Sequence, residues 1–448
     1  MMTAAVRPNL LVVMADQLGA HVIDRDEGWV DTPHLDRLRR SGAEFTRAAV
    51  TFPLCVPSRA SLLTGRMPHE LGVVGNRTGA AAAEPGARPD SMGHLLAAAG
   101  YDCAYAGKWH AISPSAPPDA GFDVLHPFGD RGLADAAVDW LRGRAGTSRP
   151  FLLFASFDDP HSVCEYARRQ PMPYGDVDPG AVRDAPPLPA NFDPAPFEPE
   201  AVRFEKHAAQ QMYGTAEYTA DEWRLYRAAY RRLVERADAQ LGRILDELDD
   251  AGLTDSTLVV FTSDHGDGDA AHRWNQKTAL FEECVRVPLV VSGPGVIPGS
   301  RSEPVSAGLD VLPTLLHAAG ADLPSHLRGR ALPLGAGEEA SDRVIGVETR
   351  FERSDPPLTR GRAVYRGRFK YTVYSWGRHR EQLHDLVADP LEQRNLAVES
   401  AFDALRDEMR ACLLTWCVET EDREFLKLLA LPAGIDQAVR DEIFAVPY

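Results

Sequence analysis

The sequence predicts an α/β fold in which helices cover both faces of a large, mostly parallel sheet. Residues 9–16 (NLLVVMAD) form a nearly continuous apolar run that ends in a carboxylate, which is typical of a strand buried on both faces. Runs at 101–107 and 150–157 predict two further strands, and a helical pattern at 132–144 separates them. This alternation favours a doubly wound sheet.

The stretch DTPHLDRLRRSG predicts the first helix. Thr32 is expected as its N-cap, Pro33 takes the first helical position, and Gly42 ends it. Residues 171–202 are rich in proline, alanine and acidic residues and predict a long surface excursion, which we interpret as a lid or substrate loop. Apolar residues then recur at helical spacing over 221–252.

Three elements follow in the second half of the chain. Residues 257–267 predict an apolar strand that ends in acidic and histidine side chains. Residues 285–295 predict a strand followed by a turn, and residues 308–320 predict a helix.

The sequence pattern changes after about residue 340. The stretches RAVYRGRFKYTVYSW and REQLHDLVADP predict antiparallel strands with turns, and a helix is expected near 399–415. We therefore predict a catalytic α/β domain over 1–340 and a smaller α+β subdomain over 341–448.

The overall charge excludes some classes of partner. The 448 residues carry a net charge of -17 at pH 7. An acidic surface argues against nucleic acid or an anionic membrane as a general partner, although a few local cations can still bind a small anionic substrate.

The N-terminus and the cysteines favour a cytoplasmic location. The first apolar run is short and an acidic residue closes it, so no signal peptide is expected, and no run of about 18 apolar residues predicts a membrane span. The six cysteines show no C-x-x-C pair and no zinc-ligand spacing, which favours free thiols. The apolar tail is expected to pack on the body or on a second subunit, so a homo-oligomer is possible.

Polar side chains end two of the predicted strands. Asp16 and Gln17 end the first, and Asp264 and His265 end the one that starts at residue 257. Open α/β sheets bind ligands outside the carboxyl ends of their strands, where these groups can share one divalent cation. Taken alone, either pair is better explained by carboxylates that cap a helix or turn, and the metal site is favoured only when both pairs are combined with Cys55 and the basic residues below.

The stretch CVPSRASLLTGR, which begins at Cys55, resembles the signature of the type I sulfatases in the alkaline phosphatase superfamily. ADQ and TSDHGD are similar to the family's metal-binding strand ends, AGKWH to its G-K-x-H element, DDPHSVCEY to its Pro-His element, and EQLHDLVADPLEQRNLA to its C-terminal segment. The resemblance covers nearly the whole chain. It implies a large mixed, mostly parallel sheet between helices, with a smaller C-terminal subdomain.

The resemblance implies that Cys55 is the precursor of the catalytic nucleophile. In the family, a formylglycine-generating enzyme reads C-x-P-x-R and oxidises the cysteine to an aldehyde, whose hydrate attacks the sulfur of a sulfate ester. The second hydroxyl of the hydrate then expels sulfate, which a plain thiol cannot do. Without its flanking residues, Cys55 would be interpreted as a buried structural thiol.

Roles for the other residues follow from the same resemblance. The metal ligands would be Asp16, Gln17, Asp264, His265 and the modified Cys55.

The substrate-facing residues come from three further motifs. Arg59 would orient the hydrate, and Lys108 and Lys277 would neutralise the sulfate oxygens. His110 would act as the base that releases sulfate, and His161, with Lys277, as the acid for the departing alcohol.

Two residues keep alternative interpretations. Asn76 is either a substrate contact or a turn residue beside Gly75. His272 is either a substrate ligand or a structural histidine.

Two positions depart from the family pattern. Many sulfatases carry aspartate in place of Gln17 and asparagine in place of His265. Calcium remains the expected ion, with manganese, magnesium or zinc as alternatives, because imidazole is softer than an amide oxygen.

The sequence therefore predicts a hydrolase of a small-molecule sulfate ester, with carbohydrate sulfates as the candidate substrate class. The first alternative is a phosphonate monoester or phosphodiester hydrolase that uses the same site. The second is a non-catalytic binding protein in which Cys55 stays a thiol.

Overall fold

The computed structural model describes residues 7–24, 28–76, 91–111, 117–335, 343–353 and 358–444. The strands are β1 Asn9–Asp16, β2 Gly42–Phe45, β3 Ala48–Ala49, β4 Asp102–Gly107, β5 Asp123–His126, β6 Phe151–Pro160, β7 Thr257–Ser263, β8 Arg286–Val287, β9 Leu289–Ser292, β10 Gly299–Arg301, β11 Val305–Ser306, β12 Ile345–Arg350, β13 Arg360–Arg366, β14 Phe369–Tyr374 and β15 Glu381–Asp385. The α-helices are α1 Pro33–Ser41, α2 Cys55–Thr64, α3 Met92–Ala98, α4 Leu133–Arg142, α5 Val163–Ala167, α6 Glu200–Tyr213, α7 Ala220–Asp250, α8 Glu282–Val285, α9 Ala307–Ala318, α10 Asp403–Glu419, α11 Arg423–Leu426 and α12 Gln437–Phe444.

The largest sheet of the described residues has eight strands in the order β10-β2-β9-β7-β1-β6-β4-β5. β1 lies between β6 and β7 and is parallel to both. β9 runs antiparallel to β7 and β2. The predicted mixed, mostly parallel sheet is therefore confirmed.

Helices cover both faces of this sheet, as the continuous apolar run of β1 predicts. Leu11 and Val13 belong to one apolar cluster, together with residues of α4 and α7. Leu10 and Val12 point to the opposite face, where their cluster includes residues of α3 and α9. Successive side chains of a strand alternate between the two faces of the sheet, so the side chains on both faces of β1 must be apolar.

Helix α1 begins and ends where the sequence predicts, but its N-terminus is capped differently. The side chain of Thr32 accepts no capping hydrogen bond. Asp238 of α7 accepts instead, from the backbone N–H groups of His34 and Leu35 at 3.1 and 2.8 Å. A distant carboxylate thus satisfies helix donors that a local side chain was expected to satisfy.

Other predicted boundaries differ by a few residues. The strand predicted over 257–267 ends at Ser263, and the helix expected near 399–415 is α10. The strand predicted over 285–295 is two strands, because Pro288 lies between β8 and β9, which join different sheets. Between α5 and α6, residues 168–199 are irregular apart from one short 3-10 turn, as the predicted excursion requires.

The C-terminal part contains a four-stranded antiparallel sheet in the order β12-β13-β14-β15. Its strands share apolar clusters with α10 and with residues of the larger part such as Trp274 and Phe281. The predicted boundary near residue 340 lies outside the described residues. None of the helices within the described ranges is both long enough and apolar enough to cross a bilayer.

Candidate active site

The ends of β1 and β7 bring the first two carboxylates together. Ala15 pairs with Ser263 in the parallel register, so Asp16 and Asp264 leave the sheet side by side. The backbone N–H of Gln17 donates to Asp264 Oδ1 at 3.1 Å. Parallel pairing therefore places two negative charges at one edge of the sheet, where a cation or cationic side chains must offset their repulsion.

Asp16, Cys55, Asp264 and His265 form one buried cluster. One ligand atom from each lies within 4.8 Å of those of the others, and all four side chains are buried. His265 Nδ1 lies 3.0 Å from the Gly266 carbonyl oxygen, a contact that fixes the proton on Nδ1. The free Nε2 then faces the cluster, as metal-ligating histidines require. Two carboxylates and one imidazole fit a single divalent cation.

Cys55 is the first residue of α2, and its sulfur lies inside this cluster. The sulfur is 3.2 Å from His265 Nε2 and 3.2 Å from Lys277 Nζ. Burial and Asp16 act to raise the pKa of the Cys55 thiol, but Lys277, Lys108 and His265 hold it well below its usual value.

A comparison with another buried thiol shows that this environment is specific. Burial raises the pKa of Cys164 to about 11, because the cations near it are fewer. Cys55 is therefore not an ordinary buried structural thiol, but a group surrounded by cations that favour an anion.

Arg59 lies one helical turn after Cys55 and joins the two carboxylates. Its Nε donates to Asp264 Oδ2 at 2.7 Å, and another guanidinium nitrogen donates to Asp16 Oδ2 at 2.8 Å. The remaining nitrogen donates to the Lys108 carbonyl oxygen and to Ser156 Oγ, both at 2.8 Å. Arg59 thus fixes the orientation of both carboxylates.

The electrostatic effect of these contacts differs between the two aspartates. Burial acts to raise the pKa of Asp16, yet the surrounding cations, Lys108 foremost, hold it well below its usual range. Burial raises the pKa of Asp264, and Arg59 offsets this only in part. Asp16 therefore has the lower pKa of the two carboxyl groups.

The two lysines approach the cluster from different elements. Lys108 follows β4, and its Nζ lies 2.7 Å from Asp16 Oδ2. Lys277 Nζ donates to Gln17 Oε1 at 2.9 Å and contacts the Cys55 sulfur. Burial acts to lower the pKa of each lysine, but neighbouring negative groups, Asp16 among them, raise it above its usual value.

The side chain of Gln17 lies beside the cluster. Its backbone adopts a φ of 68°, and its Nε2 donates to Asp267 Oδ2 at 2.7 Å. The amide oxygen accepts from Lys277. A role as metal ligand therefore stays a prediction for Gln17.

The two predicted acid–base histidines lie at different depths. His161 is half-buried beside Cys55, and burial, Lys108 and Lys277 lower its pKa. His110 is exposed, and its backbone has a φ of 39°. The structure thus brings His161 to the cluster, whereas the side chain of His110 is exposed to solvent, and its role stays a prediction.

Asn76 and His272 have structural partners. Asn76 Oδ1 accepts from the backbone N–H of Val56 at 3.2 Å, in the first turn of α2. His272 stacks on Phe281 with ring centres 3.9 Å apart, and its Nε2 lies 3.3 Å from Asn191 Nδ2. Burial and nearby cations lower the pKa of His272 to about 3.

Sequence reasoning assigned no role to several polar residues that the fold places around the cluster. Tyr105 donates to the Lys108 carbonyl oxygen at 2.6 Å, and Asp158 Oδ1 accepts from Lys108 Nζ at 2.8 Å. Ser156 and Asp267 contact Arg59 and Gln17, as described above. Ser156 and Asp158 follow the apolar part of β6, so the rule that sites lie at strand ends was the available signal.

Comparisons with known proteins identify the family of the chain. The family model described as "Sulfatase" matches residues 8–129 and 117–321, and the model "N-sulphoglucosamine sulphohydrolase, C-terminal" matches residues 270–418. A Delta 4,5-hexuronate-2-O-sulfatase of Bacteroides thetaiotaomicron is 29% identical over 444 residues, which cover 94% of this chain and 90% of that protein.

Solved structures show the same fold. A 2-O GAG sulfatase superposes with a TM-score of 0.79 at 26% identity, covering 97% of this chain and 96% of that chain. The phosphonate monoester hydrolase of Agrobacterium radiobacter superposes with a TM-score of 0.70 at 23% identity, covering 92% and 96%, and shares the fold. The chain thus has the sequence match and the fold of one family, and it belongs to the sulfatases, which are sulfuric ester hydrolases.

Proposed function

We propose that this sulfatase hydrolyses the sulfate monoester of a carbohydrate through a formylglycine made from Cys55. The observation that carries the proposal is the position of Cys55, whose sulfur lies 3.2 Å from both His265 Nε2 and Lys277 Nζ inside a buried carboxylate cluster. The hexuronate sulfatase and the glycosaminoglycan sulfatase among its relatives support a sugar substrate.

Oxidation of Cys55 supplies the nucleophile. A hydrated aldehyde carries two hydroxyls on one carbon, one to attack the sulfur and one to expel sulfate afterwards. The cations around Cys55 that lower the pKa of its thiol would also favour deprotonation of such a hydroxyl. The start of α2 adds to this effect, because the N-terminal end of a helix dipole stabilises negative charge.

Asp16, Asp264 and His265 fit one divalent cation, with Gln17 as the proposed fourth ligand from the protein. When bound, the cation would supply Lewis-acid stabilisation of negative charge. Arg59 holds both carboxylates in place before any ion binds. We propose calcium, with manganese, magnesium or zinc as alternatives because His265 supplies a nitrogen ligand.

The remaining residues act on the substrate. Lys108 and Lys277 are buried cations that neutralise the sulfate oxygens in a site shielded from water. His161, half-buried beside Cys55, gives a proton to the departing alcohol, and its lowered pKa makes it a stronger acid once protonated. His110, on the exposed side, takes the proton when sulfate is released.

The direct test is mass spectrometry of the peptide that contains Cys55, from active protein of the native host. Conversion to formylglycine lowers the peptide mass by about 18 Da, because oxygen replaces sulfur and two hydrogens are lost. We expect the modified peptide, and we expect Cys55→Ala to lose turnover of an aryl sulfate while keeping its circular dichroism spectrum. An unmodified cysteine in fully active protein would contradict the proposal, and a thiol throughout inactive native protein would favour a binding protein.

The alternative is a phosphonate monoester or phosphodiester hydrolase. The specific observations that favour it are Gln17 and His265 at the positions where many sulfatases have aspartate and asparagine, together with Asn76 beside the first turn of α2. Parallel measurements of kcat/KM with an aryl sulfate, an aryl phosphonate and sulfated sugars distinguish the two activities. A higher value for the phosphonate than for every sulfate ester would favour the alternative.

A further inference from the structure

Lys108 is shared by two carboxylates, of which only one belongs to the candidate metal cluster. Its Nζ lies 2.7 Å from Asp16 Oδ2 and 2.8 Å from Asp158 Oδ1. Both carboxylates are buried, and so is Lys108. Asp158 therefore places a negative charge next to the lysine that would neutralise the substrate's sulfate.

Contacts outside the cluster hold Asp158 in this orientation. Tyr174, in the irregular segment after α5, donates its hydroxyl to Asp158 Oδ2 at 3.0 Å. The backbone N–H groups of Asp158 and Asp159 donate to the carboxylate of Asp130 at 2.6 and 2.9 Å. Arg236 of α7 holds Asp159 Oδ2 at 2.6 Å. Hydrogen bonds of both its backbone and its side chain thus fix the orientation of Asp158.

The other cations of the centre contact groups other than Asp158. Arg59 is shared by Asp16 and Asp264, and Lys277 donates to Gln17 and contacts Cys55. Asp16 thus pairs with both Arg59 and Lys108, and Asp158 adds a second negative charge beside Lys108. Asp158 therefore changes the electrostatic potential at the position where an anion would bind Lys108.

An anion bound to Lys108 would lie close to Asp158. Two oxygens that accept from one ammonium group lie roughly 4 to 5 Å apart. A sulfate monoester carries one negative charge, whereas the phosphate monoester of the same alcohol carries close to two above its second pKa of about 6. Each additional charge at that distance in a buried site changes binding by about tenfold or more.

We propose that Asp158 determines specificity by charge: it disfavours doubly charged phosphate monoesters relative to singly charged sulfate monoesters. The proposal rests on the sulfatase function proposed above and concerns the same site. Asp158 acts through its field and through its contact with Lys108, so it is a positioning residue and not a catalytic one.

The test is Asp158→Asn, assayed with three esters of 4-nitrophenol in one preparation at pH 8. The amide keeps the shape of the carboxylate, since its oxygen accepts from Lys108 and its nitrogen donates to the Tyr174 hydroxyl. The phosphate to sulfate ratio of kcat/KM should rise about tenfold or more. The ratio for a phenylphosphonate ester, which carries one charge, should stay within about twofold of wild type. Ratios within one preparation are independent of the fraction of Cys55 that is modified.

Two variants complete the design. Tyr174→Phe removes the hydrogen bond but keeps the charge of Asp158, and should leave the phosphate to sulfate ratio unchanged. Asp158→Ser replaces the asparagine variant if that protein does not fold, with the same expected rise. An unchanged ratio, or an equal rise for phosphonate, would overturn the proposal. Absence of sulfate ester hydrolysis by the wild type would instead refute the proposed function.

Discussion

Arg59 shows how a single side chain prepares the candidate metal site. The guanidinium donates to Asp16 and Asp264 and is itself buried, so three charges depend on one another. From the sequence, Arg59 was predicted to orient the nucleophile, because it belongs to the same C-x-P-x-R motif as Cys55. The structure places it between the carboxylates, a position that depends on the parallel pairing of β1 with β7.

We predict that Arg59→Ala destabilises the metal-free protein by about 3 to 5 kcal/mol, because it leaves the buried Asp264 without its arginine partner and Asp16 with Lys108 alone. A divalent cation should restore part of this loss, since it would bind the same carboxylates. Urea unfolding with and without added metal measures both effects, and Arg59→Lys provides a milder variant. Arg37→Ala, which removes half-exposed ion pairs with Asp246 and Asp249, should cost about 1 kcal/mol or less. Equal losses for Arg59→Ala and Arg37→Ala would contradict this account.

At the scale of elements, the ends of parallel strands determine where the functional side chains lie. Gly107 ends β4 with a φ of 97°, and a Cβ atom there would lie 2.1 Å from the Ser156 carbonyl oxygen. The backbone of Lys108 donates to that same oxygen at 2.9 Å. β4 and β6 therefore approach so closely at their ends that only glycine fits directly before Lys108.

Gly107→Ala should accordingly cost about 2 to 4 kcal/mol, from backbone strain and overpacking together. It should also lower kcat/KM for a sulfate ester, because Lys108 would be displaced. Gly252→Ala is the matched control: its φ is 65°, but a Cβ there meets nothing within 4 Å. We expect that variant to lose only about 1 to 2 kcal/mol and to keep its activity. Thermal unfolding measures the stability of both variants, and steady-state kinetics measures their activity. Similar losses of stability and activity in the two variants would exclude the close approach of β4 and β6 as the cause.

Elements were predicted well from the sequence where apolar patterning decides them, and less well where distant contacts do. Four elements lie within a few residues of their predicted ranges: β1, α4, α7 and α9. Burial of part of their surface imposes a regular spacing of apolar residues, which the sequence shows. Thr32 is the N-cap residue of α1 as predicted, but its side chain accepts no hydrogen bond from the helix. The acceptor is Asp238, which no local pattern indicates because it comes from a helix some 200 residues away. Pro288 was an available signal for the break between β8 and β9.

At the scale of the whole molecule, His69 links the segment after α2 to the C-terminal part. Its Nδ1 lies 2.6 Å from Glu348 Oε1 of β12, and its Nε2 lies 2.8 Å from the Thr420 carbonyl oxygen after α10. Burial acts to lower the pKa of His69, but Glu348 outweighs it and raises the pKa from 6.5 to about 9.

This contact predicts a stability that depends on pH. The pKa is higher in the folded than in the unfolded protein, so the contribution is fully present below pH 6.5 and is lost as pH rises through 9. Its size is at most about 3 kcal/mol. Urea unfolding should show a large difference between wild type and His69→Gln at pH 6 and a much smaller one at pH 9.5. His317→Gln, at an exposed position, should show no such change. A difference that is constant with pH would mean that folding does not raise the pKa of His69.

The sequence by itself determined the class of fold, the family resemblance and most of the polar residues at the site, because apolar periods and short motifs are local properties of the chain. The tertiary structure decided the partners of those residues. Arg59 between two carboxylates, Lys108 between Asp16 and Asp158, and Asn76 at the start of α2 are contacts between segments far apart in the chain. Such contacts depend on strand register and on the approach of loops, which no local pattern encodes.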